Sequence, residues 1–230
     1  MNYFRIIFLF SIIISSCKNE EKKYDSGFTY LALGDSYTIG EGIDIEGSFP
    51  FLIAQEISLI DSVKIIAKRG WTTDELIDTL NNLNIGKYDI VSLLIGVNNQ
   101  YDGYNFDNYV MEFDYLLSKA IGYSKNKRNV FVLSIPDYGV TPVGKSIGSD
   151  IISREIDSYN DLNRLMSEKY NVMYFDITDI SRMALNDSTL LANDELHPSK
   201  KMYKLWVEEI KYQLLDLSLI HISEPTRPID

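Results

Sequence analysis

A serine, a histidine, an aspartate, an asparagine and a glycine, far apart in this chain, hold the parts needed to attack a carbonyl carbon. The serine is Ser36, in TYLALGDSYTIGEG (29–42), where an apolar run ends on Gly34-Asp35-Ser36. A hydroxyl becomes a useful nucleophile only when a neighbouring base takes its proton. At a strand-to-helix turn it also lies near helix amides that favour developing negative charge. The histidine is His197, in NDELHPS, three residues after Asp194. On a tight turn that spacing lets the carboxylate reach one ring nitrogen and leaves the other as a base. Gly70, in AKRGWTT, offers a backbone N–H with no side chain in the way, and Asn98, in LLIGVNNQ, offers a carboxamide donor. Each also has a plainer reading: Asp35 or Ser36 as a helix cap, Gly70 and Asn98 as turn residues, Asp194 as a solvent-facing carboxylate and His197 as a capping residue.

The elements that must position these residues are legible as an alternation of apolar runs and helical patterns. Strands are expected at Phe28–Leu33, Val63–Ala67, Asp89–Ile95, Asn129–Ile135 and Val172–Phe175. Helices fit between and after them, at Phe49–Ile60, Thr73–Leu83, Phe106–Tyr123, Asp150–Tyr170 and Pro198–Leu215, with Pro198 read as the first helical residue. In the third helix Tyr109, Phe113, Leu116 and Leu117 share one stripe. Such alternation predicts an α/β domain: a parallel sheet covered on both faces, with function in the loops beyond the carboxyl ends of the strands. Those loops begin at Gly34, Lys68, Gly96, Pro136 and Asp176, and the candidate residues fall in them.

Length and composition agree with one globular domain: 230 residues, 45% hydrophobic and 24% charged. A formal charge of −11 argues against nucleic acid and anionic membrane surfaces as partners. The single cysteine excludes an internal disulfide framework and a cysteine-based metal cluster.

That cysteine ends MNYFRIIFLFSIIISSC, a stretch with Arg5 followed by an apolar run from Ile6 to Ile14. The run is too short to span a bilayer as a mature helix and has the size of a secretory signal. ISSC resembles a bacterial lipobox, which implies a signal peptide over residues 1–16 and lipidation at Cys17. Residues 17–27 would then be a polar tether, the domain would span 28–216, and the protein would sit outside the cytoplasm on a bacterial membrane. At the other end LSLIHISEPTR, Leu217–Arg227, is identified as an in-frame translation of a transposase sequencing adapter. Residues 217–230 are therefore expected to be non-biological, which removes His221 and leaves His197 as the usable histidine.

GDS near the start, an isolated glycine after the second strand, GVNN after the third and DELH near the end resemble the four blocks of the SGNH, or GDSL, hydrolase family. The resemblance spans residues 28–215. It implies a three-layer α/β/α sandwich with a five-stranded, flavodoxin-like parallel sheet, and cofactor-free, metal-free serine hydrolysis of carboxylic esters. Ser36 would be the nucleophile, His197 the base and Asp194 its orienting partner. The Ser36 and Gly70 N–H groups and the Asn98 amide would form the oxyanion hole. One departure stands out: Asn99 follows Asn98, where the family often has Gly-x-Asn-Asp. SIPDYGVTP also resembles segments of some of these hydrolases.

A competing motif lies in GVTPVGKS, Gly139–Ser146, which matches the phosphate-cradling pattern G-x-x-x-x-G-K-[ST]. Pro142 inside it has no N–H to give a phosphate, and Pro136-Asp137-Tyr138 separates the strand from its first glycine. A metal-dependent site using Asp35, Asn98, Asp194 and His197 would be short of the ligands that two-metal centres use. An inactive binding protein on the same fold is a third reading, at odds with the presence of every block residue. Tyr101, Tyr104 and Phe106, in NNQYDGYNF, are candidates to line an acyl or sugar pocket. An outer location favours lysophospholipid, short-chain ester or acetylated carbohydrate over acyl-CoA as substrate.

Overall fold

The computed structural model describes residues 27–223, with side chains through residue 215. The expected leader over residues 1–16, Cys17, the tether through residue 26, residues 224–230 and the side chain of His221 lie outside the described residues. Five strands form an all-parallel sheet: β1 (Phe28–Gly34), β2 (Ile60–Ala67), β3 (Ile90–Leu94), β4 (Val130–Leu133) and β5 (Met173–Phe175), in the order β2-β1-β3-β4-β5. β3 and β4 are the continuous apolar runs IVSLL and VFVL, buried at every position, as strands covered on both faces must be. β2 lies at an edge and reads differently: Ile60 and Ile66 are buried, while Asp61 and Ser62 face solvent.

The helices are α1 (Ser36–Ile39), α2 (Phe49–Glu56), α3 (Thr73–Asn81), α4 (Val97–Tyr101), α5 (Phe106–Tyr123), α6 (Pro142–Ile147), α7 (Ser149–Tyr170), α8 (Thr178–Arg182) and α9 (Lys200–Ser223). α2 packs against α9 to form one layer, and α3, α5 and α7 pack side by side in another. This is the arrangement right-handed crossovers require when the chain steps from β1 to β2 and then back across to β3. The expected stripe on α5 is buried: Tyr109, Phe113, Leu116, Leu117 and Ala120. Phe49, Tyr203 and Trp206 fill the α2–α9 layer, with the Tyr203 and Trp206 rings edge to face at 4.8 Å. Among the described residues no helix is long and apolar enough to cross a membrane.

Two boundaries differ from the sequence reading for identifiable reasons. The expected helix through Ile60 stops at Glu56, because residues from Ile60 pair with β1 as the edge strand. Pro198 does not open the last helix. It lies in an antiparallel bridge with Leu191, and Ser199 follows it, its hydroxyl accepting the Met202 N–H at 3.4 Å as α9 begins.

The order 2-1-3-4-5 fixes where a site can lie. From β1 the chain departs to one side and from β3 to the other, so a crevice opens beyond the carboxyl ends of these two strands.

Candidate active site

β1 delivers Ser36 to this crevice through a close approach that only glycine allows. A Cβ on Gly34 would stand 2.2 Å from the Leu94 carbonyl oxygen and 2.1 Å from Thr38 Oγ1. Asp35 then caps α1, its Oδ1 accepting the Tyr37 N–H at 3.0 Å. Ser36 is the first residue of α1, among the N–H groups that have no intrahelical acceptor. Asp35 itself is fully buried and its Oδ2 has no hydrogen-bond partner. Burial pushes its carboxyl pKa up to about 7, against the lowering effect of the Tyr37 N–H.

The loop after β2 turns at Lys68–Trp71, closed by the Trp71 N–H to the Lys68 carbonyl at 3.2 Å. Gly70 adopts φ +81°, and a Cβ there would touch nothing within 4 Å. Glycine is needed for the backbone conformation, and it leaves the N–H uncovered. After β3, Gly96 takes φ +124° where a Cβ would collide with the Tyr109 hydroxyl at 2.5 Å. α4 follows at once with Asn98, whose Nδ2 donates to the Trp71 carbonyl at 2.8 Å. One N–H of the carboxamide thereby ties the β3 loop to the Gly70 turn, and the second is left for the cleft.

Asn99, the departure in this block, is buried and paired reciprocally with Thr73. Its Oδ1 accepts the Thr73 N–H at 3.1 Å and its Nδ2 donates to Thr73 Oγ1 at 2.7 Å. The Thr73 hydroxyl in turn donates to Glu112. The neutral amide suits this chain of donors: it satisfies the hydroxyl oxygen and releases the hydroxyl proton toward a carboxylate.

His197 and Asp194 come from a small loop closed by antiparallel bonds, Ala192 N–H to the His197 carbonyl at 2.8 Å and Ser199 N–H to Leu190 at 2.8 Å. Glu195 turns it with φ +58°. Asp194 Oδ2 meets His197 Nδ1 at 2.6 Å, and Oδ1 accepts the N–H groups of Leu196 at 3.0 Å and His197 at 2.9 Å. Burial alone would raise the Asp194 pKa; these hydrogen bonds outweigh it and hold the carboxyl below its ordinary range. The Tyr37 ring stands edge-on to the imidazole at 5.7 Å, and Tyr203 Oη anchors the Tyr37 carbonyl at 2.9 Å.

Ser36, Gly70, Asn98 and His197 all line one cleft of about 240 Å³, with Asp194 behind the histidine. Among the described hydrogen bonds none joins Ser36 Oγ to His197. Six side chains that the sequence reading did not single out for the site also line the cleft: Tyr37, Arg69, Val97, Tyr138, Val143 and Leu196. Tyr138 was within reach, since it follows β4 at the same sheet edge. Its hydroxyl donates to Gln100 Oε1 at 2.7 Å, and Gln100 Nε2 donates to Glu155 at 2.7 Å. The backbone of that loop is pinned by Asp137, which is buried, ion-paired to Arg182 Nε at 2.9 Å and capped by the Gly139 N–H at 2.8 Å.

Of the three aromatic candidates only Tyr101 lines this cleft, its ring 6.2 Å from that of Tyr138. Tyr104 and Phe106 line a neighbouring one. The GVTPVGKS segment forms a turn and the short helix α6. Its Gly139, Gly144 and Lys145 N–H groups donate to Asp137, to the Thr141 hydroxyl and to the Thr141 carbonyl. A phosphate would find those donors occupied.

A family model described as GDSL-like Lipase/Acylhydrolase family matches residues 32–205. A search of curated proteins returned no match. Among solved structures, the chain is similar to LAE5, an alpha/beta hydrolase enzyme from the metagenome of Lake Arreo, at 19% identity and TM-score 0.63, covering 84% of this chain and 97% of that one. It is similar to Axe2, an acetylxylan esterase from Geobacillus stearothermophilus, at 19% identity and TM-score 0.62, covering 82% and 94%. A member of the lipolytic protein G-D-S-L family from Veillonella parvula matches at 15% identity and TM-score 0.60, covering 82% and 97%. Identities this low speak for the shared fold; the family match, over most of the domain, speaks for descent. The chain belongs to the GDSL-like lipase/acylhydrolase family.

Proposed function

We propose that this cleft hydrolyses carboxylic esters through an acyl-enzyme on Ser36. The observation that carries the reading is the 2.6 Å contact between Asp194 and His197 Nδ1, made at the cleft that Ser36, Gly70 and Asn98 also line. With Nδ1 engaged, the remaining ring nitrogen is the acceptor for the Ser36 proton. Transfer needs the hydroxyl within about 3.2 Å of that nitrogen in the complex with ester.

Ser36 Oγ attacks the carbonyl carbon while its proton passes to His197. The carbonyl π electrons move onto oxygen, which accepts hydrogen bonds from the Ser36 N–H, the Gly70 N–H and the second Asn98 N–H. Collapse breaks the bond to the alcohol, which leaves with the proton from His197. Water then repeats the attack on the acyl-enzyme, giving its proton to His197, and the carboxylic acid departs as Ser36 is restored.

The volume of the cleft supports a short acyl group. About 240 Å³ is below the ~300–1,000 Å³ of sites that enclose larger ligands, and Val97, Val143 and Leu196 give it apolar walls. The preferred acyl group is short, acetyl to about butyryl. With a series of p-nitrophenyl esters, kcat/KM should peak at two to four acyl carbons and fall steeply by decanoyl; a peak at palmitoyl would overturn the size argument. Lipidation at Cys17 would hold the enzyme on a membrane outside the cytoplasm, a reading that rests on residues 1–17 of the sequence.

A further inference from the structure

Beside the reaction cleft lies a second one, of about 480 Å³, to which the hydrolytic chemistry assigns no role. Gln100, Tyr104, Phe106, Glu155 and Ser158 line it. We propose that it binds a neutral sugar unit of the alcohol portion of the ester, so that the substrate is an acylated oligosaccharide. This inference rests on the ester-hydrolase reading and adds the alcohol side to it.

A hydrogen-bonded pair of side chains stands between the two clefts. Tyr138 lines the reaction cleft, and its hydroxyl bonds Gln100, which lines the second cleft and is held from the far side by Glu155. The proposal places the acyl group by Ser36 and the alcohol portion across this pair, in the second cleft.

The chemistry of the lining selects the occupant. Phe106 is 39% exposed and Tyr104 37%, and both present aromatic surface to the cleft. Both rings are held: Phe106 packs edge-on to Tyr159 at 5.0 Å, and Tyr104 Oη donates to Asp74 at 3.2 Å. A fixed aromatic face loses little freedom when a ligand stacks on it. Polar groups stand beside the rings. Glu155 uses one oxygen for Gln100 and retains the other, and the Ser158 hydroxyl, donating to the Arg154 carbonyl at 3.0 Å, retains acceptor capacity. A sugar ring offers what this lining lacks, an apolar C–H face and hydroxyl donors at its edge. An acyl chain would cover the Glu155 carboxylate without satisfying it. An anionic headgroup would meet that carboxylate, no lining cation and a protein of net charge −11.

The test compares wild type with Phe106→Ala, Tyr104→Ala and Glu155→Gln. The substrates are acetylated xylohexaose, acetylated mannohexaose, p-nitrophenyl acetate and p-nitrophenyl decanoate. The measure is the ratio of kcat/KM on the preferred acetylated hexasaccharide to that on p-nitrophenyl acetate. Taking a ratio cancels losses of folded protein, which matters for Phe106 because it touches Tyr109 and Tyr159. The proposal expects the ratio to fall fivefold or more in Phe106→Ala and in at least one of the other two variants. A smaller fall, or an equal loss on the decanoyl ester, overturns it. A second arm titrates the unacetylated hexasaccharides into Ser36→Ala protein by calorimetry, where Phe106→Ala should weaken binding fivefold or more. That arm needs no turnover: if wild type fails on every ester, the hydrolase reading falls, and the binding result still decides for or against the sugar subsite.

Discussion

Asp194 touches His197 twice, through Oδ2 to the ring Nδ1 at 2.6 Å and through Oδ1 to the backbone N–H at 2.9 Å. The carboxylate thus fixes both where the histidine sits and which way its ring faces. Only two residues lie between them, and the loop that holds them turns at Glu195 in the left-handed region. Replacing Asp194 by Asn keeps the shape and the backbone bond but lets the ring adopt the wrong tautomer. For Asp194→Asn we expect kcat on p-nitrophenyl acetate to fall by about 10³–10⁴-fold with little change in KM, as in other triads of this kind. A loss of under tenfold would mean that the carboxylate does not orient the base.

The proposed oxyanion donors make separable predictions. Asn98→Ala should lower kcat by about 10²–10³-fold, the usual effect of deleting one such donor. Gly70 is different in kind: there is room for a side chain, but not at φ +81°. Gly70→Ala carries ~1–2 kcal/mol of backbone strain, and as the turn relaxes the N–H swings away. Gly70→Asn, whose side chain tolerates that backbone region, should retain several times more activity than Gly70→Ala. Equal activity of the two variants would count against a role for the Gly70 N–H.

Part of this candidate cleft was legible because Ser36, Gly70 and Asn98 each lie within a few residues of a strand's carboxyl end. Ser36 follows β1 across Asp35, and Asn98 follows β3 across Ile95, Gly96 and Val97, so the periodicity that found the strands also found the loops. Asp194 and His197 were legible through local spacing alone. Pro198 misled because a proline before an apolar helix reads as its first residue, whereas here it completes the bridge that closes the histidine loop.

The remaining wall was not legible. Gln100 and Glu155 are separated by 55 residues, and Tyr138 and Gln100 by 38; no local pattern pairs them. Tyr101, Tyr104 and Phe106 looked equivalent in the sequence. They divide between two clefts because Gly103 turns at φ +66° and the Tyr104 N–H bonds back to the Asn99 carbonyl at 2.8 Å. The chain reverses between the first aromatic and the other two.

Asp35 gives a prediction about pH and stability. Its folded pKa is raised to about 7 from an ordinary 3.8, chiefly by burial. Between those values the folded protein holds a proton that the unfolded chain has lost, so stability must decline as pH rises through that window and level off above it. Asp35→Asn removes the titration while its side-chain oxygen still accepts the Tyr37 N–H. Urea unfolding at intervals from pH 4 to 8 should show the variant gaining on wild type as pH rises. A difference independent of pH would contradict the assigned protonation.

The central claim is that Ser36 is a nucleophile activated by His197, and the most direct measurement is covalent labelling by a fluorophosphonate followed by peptide mass spectrometry. Attack by Oγ expels fluoride and leaves a phosphonyl group on the serine, so the account predicts a single modified peptide containing Ser36. Labelling should vanish in Ser36→Ala, together with a fall in kcat on p-nitrophenyl acetate of about 10⁴- to 10⁶-fold. Esterase activity that survives Ser36→Ala, or a label found on another residue, would contradict it.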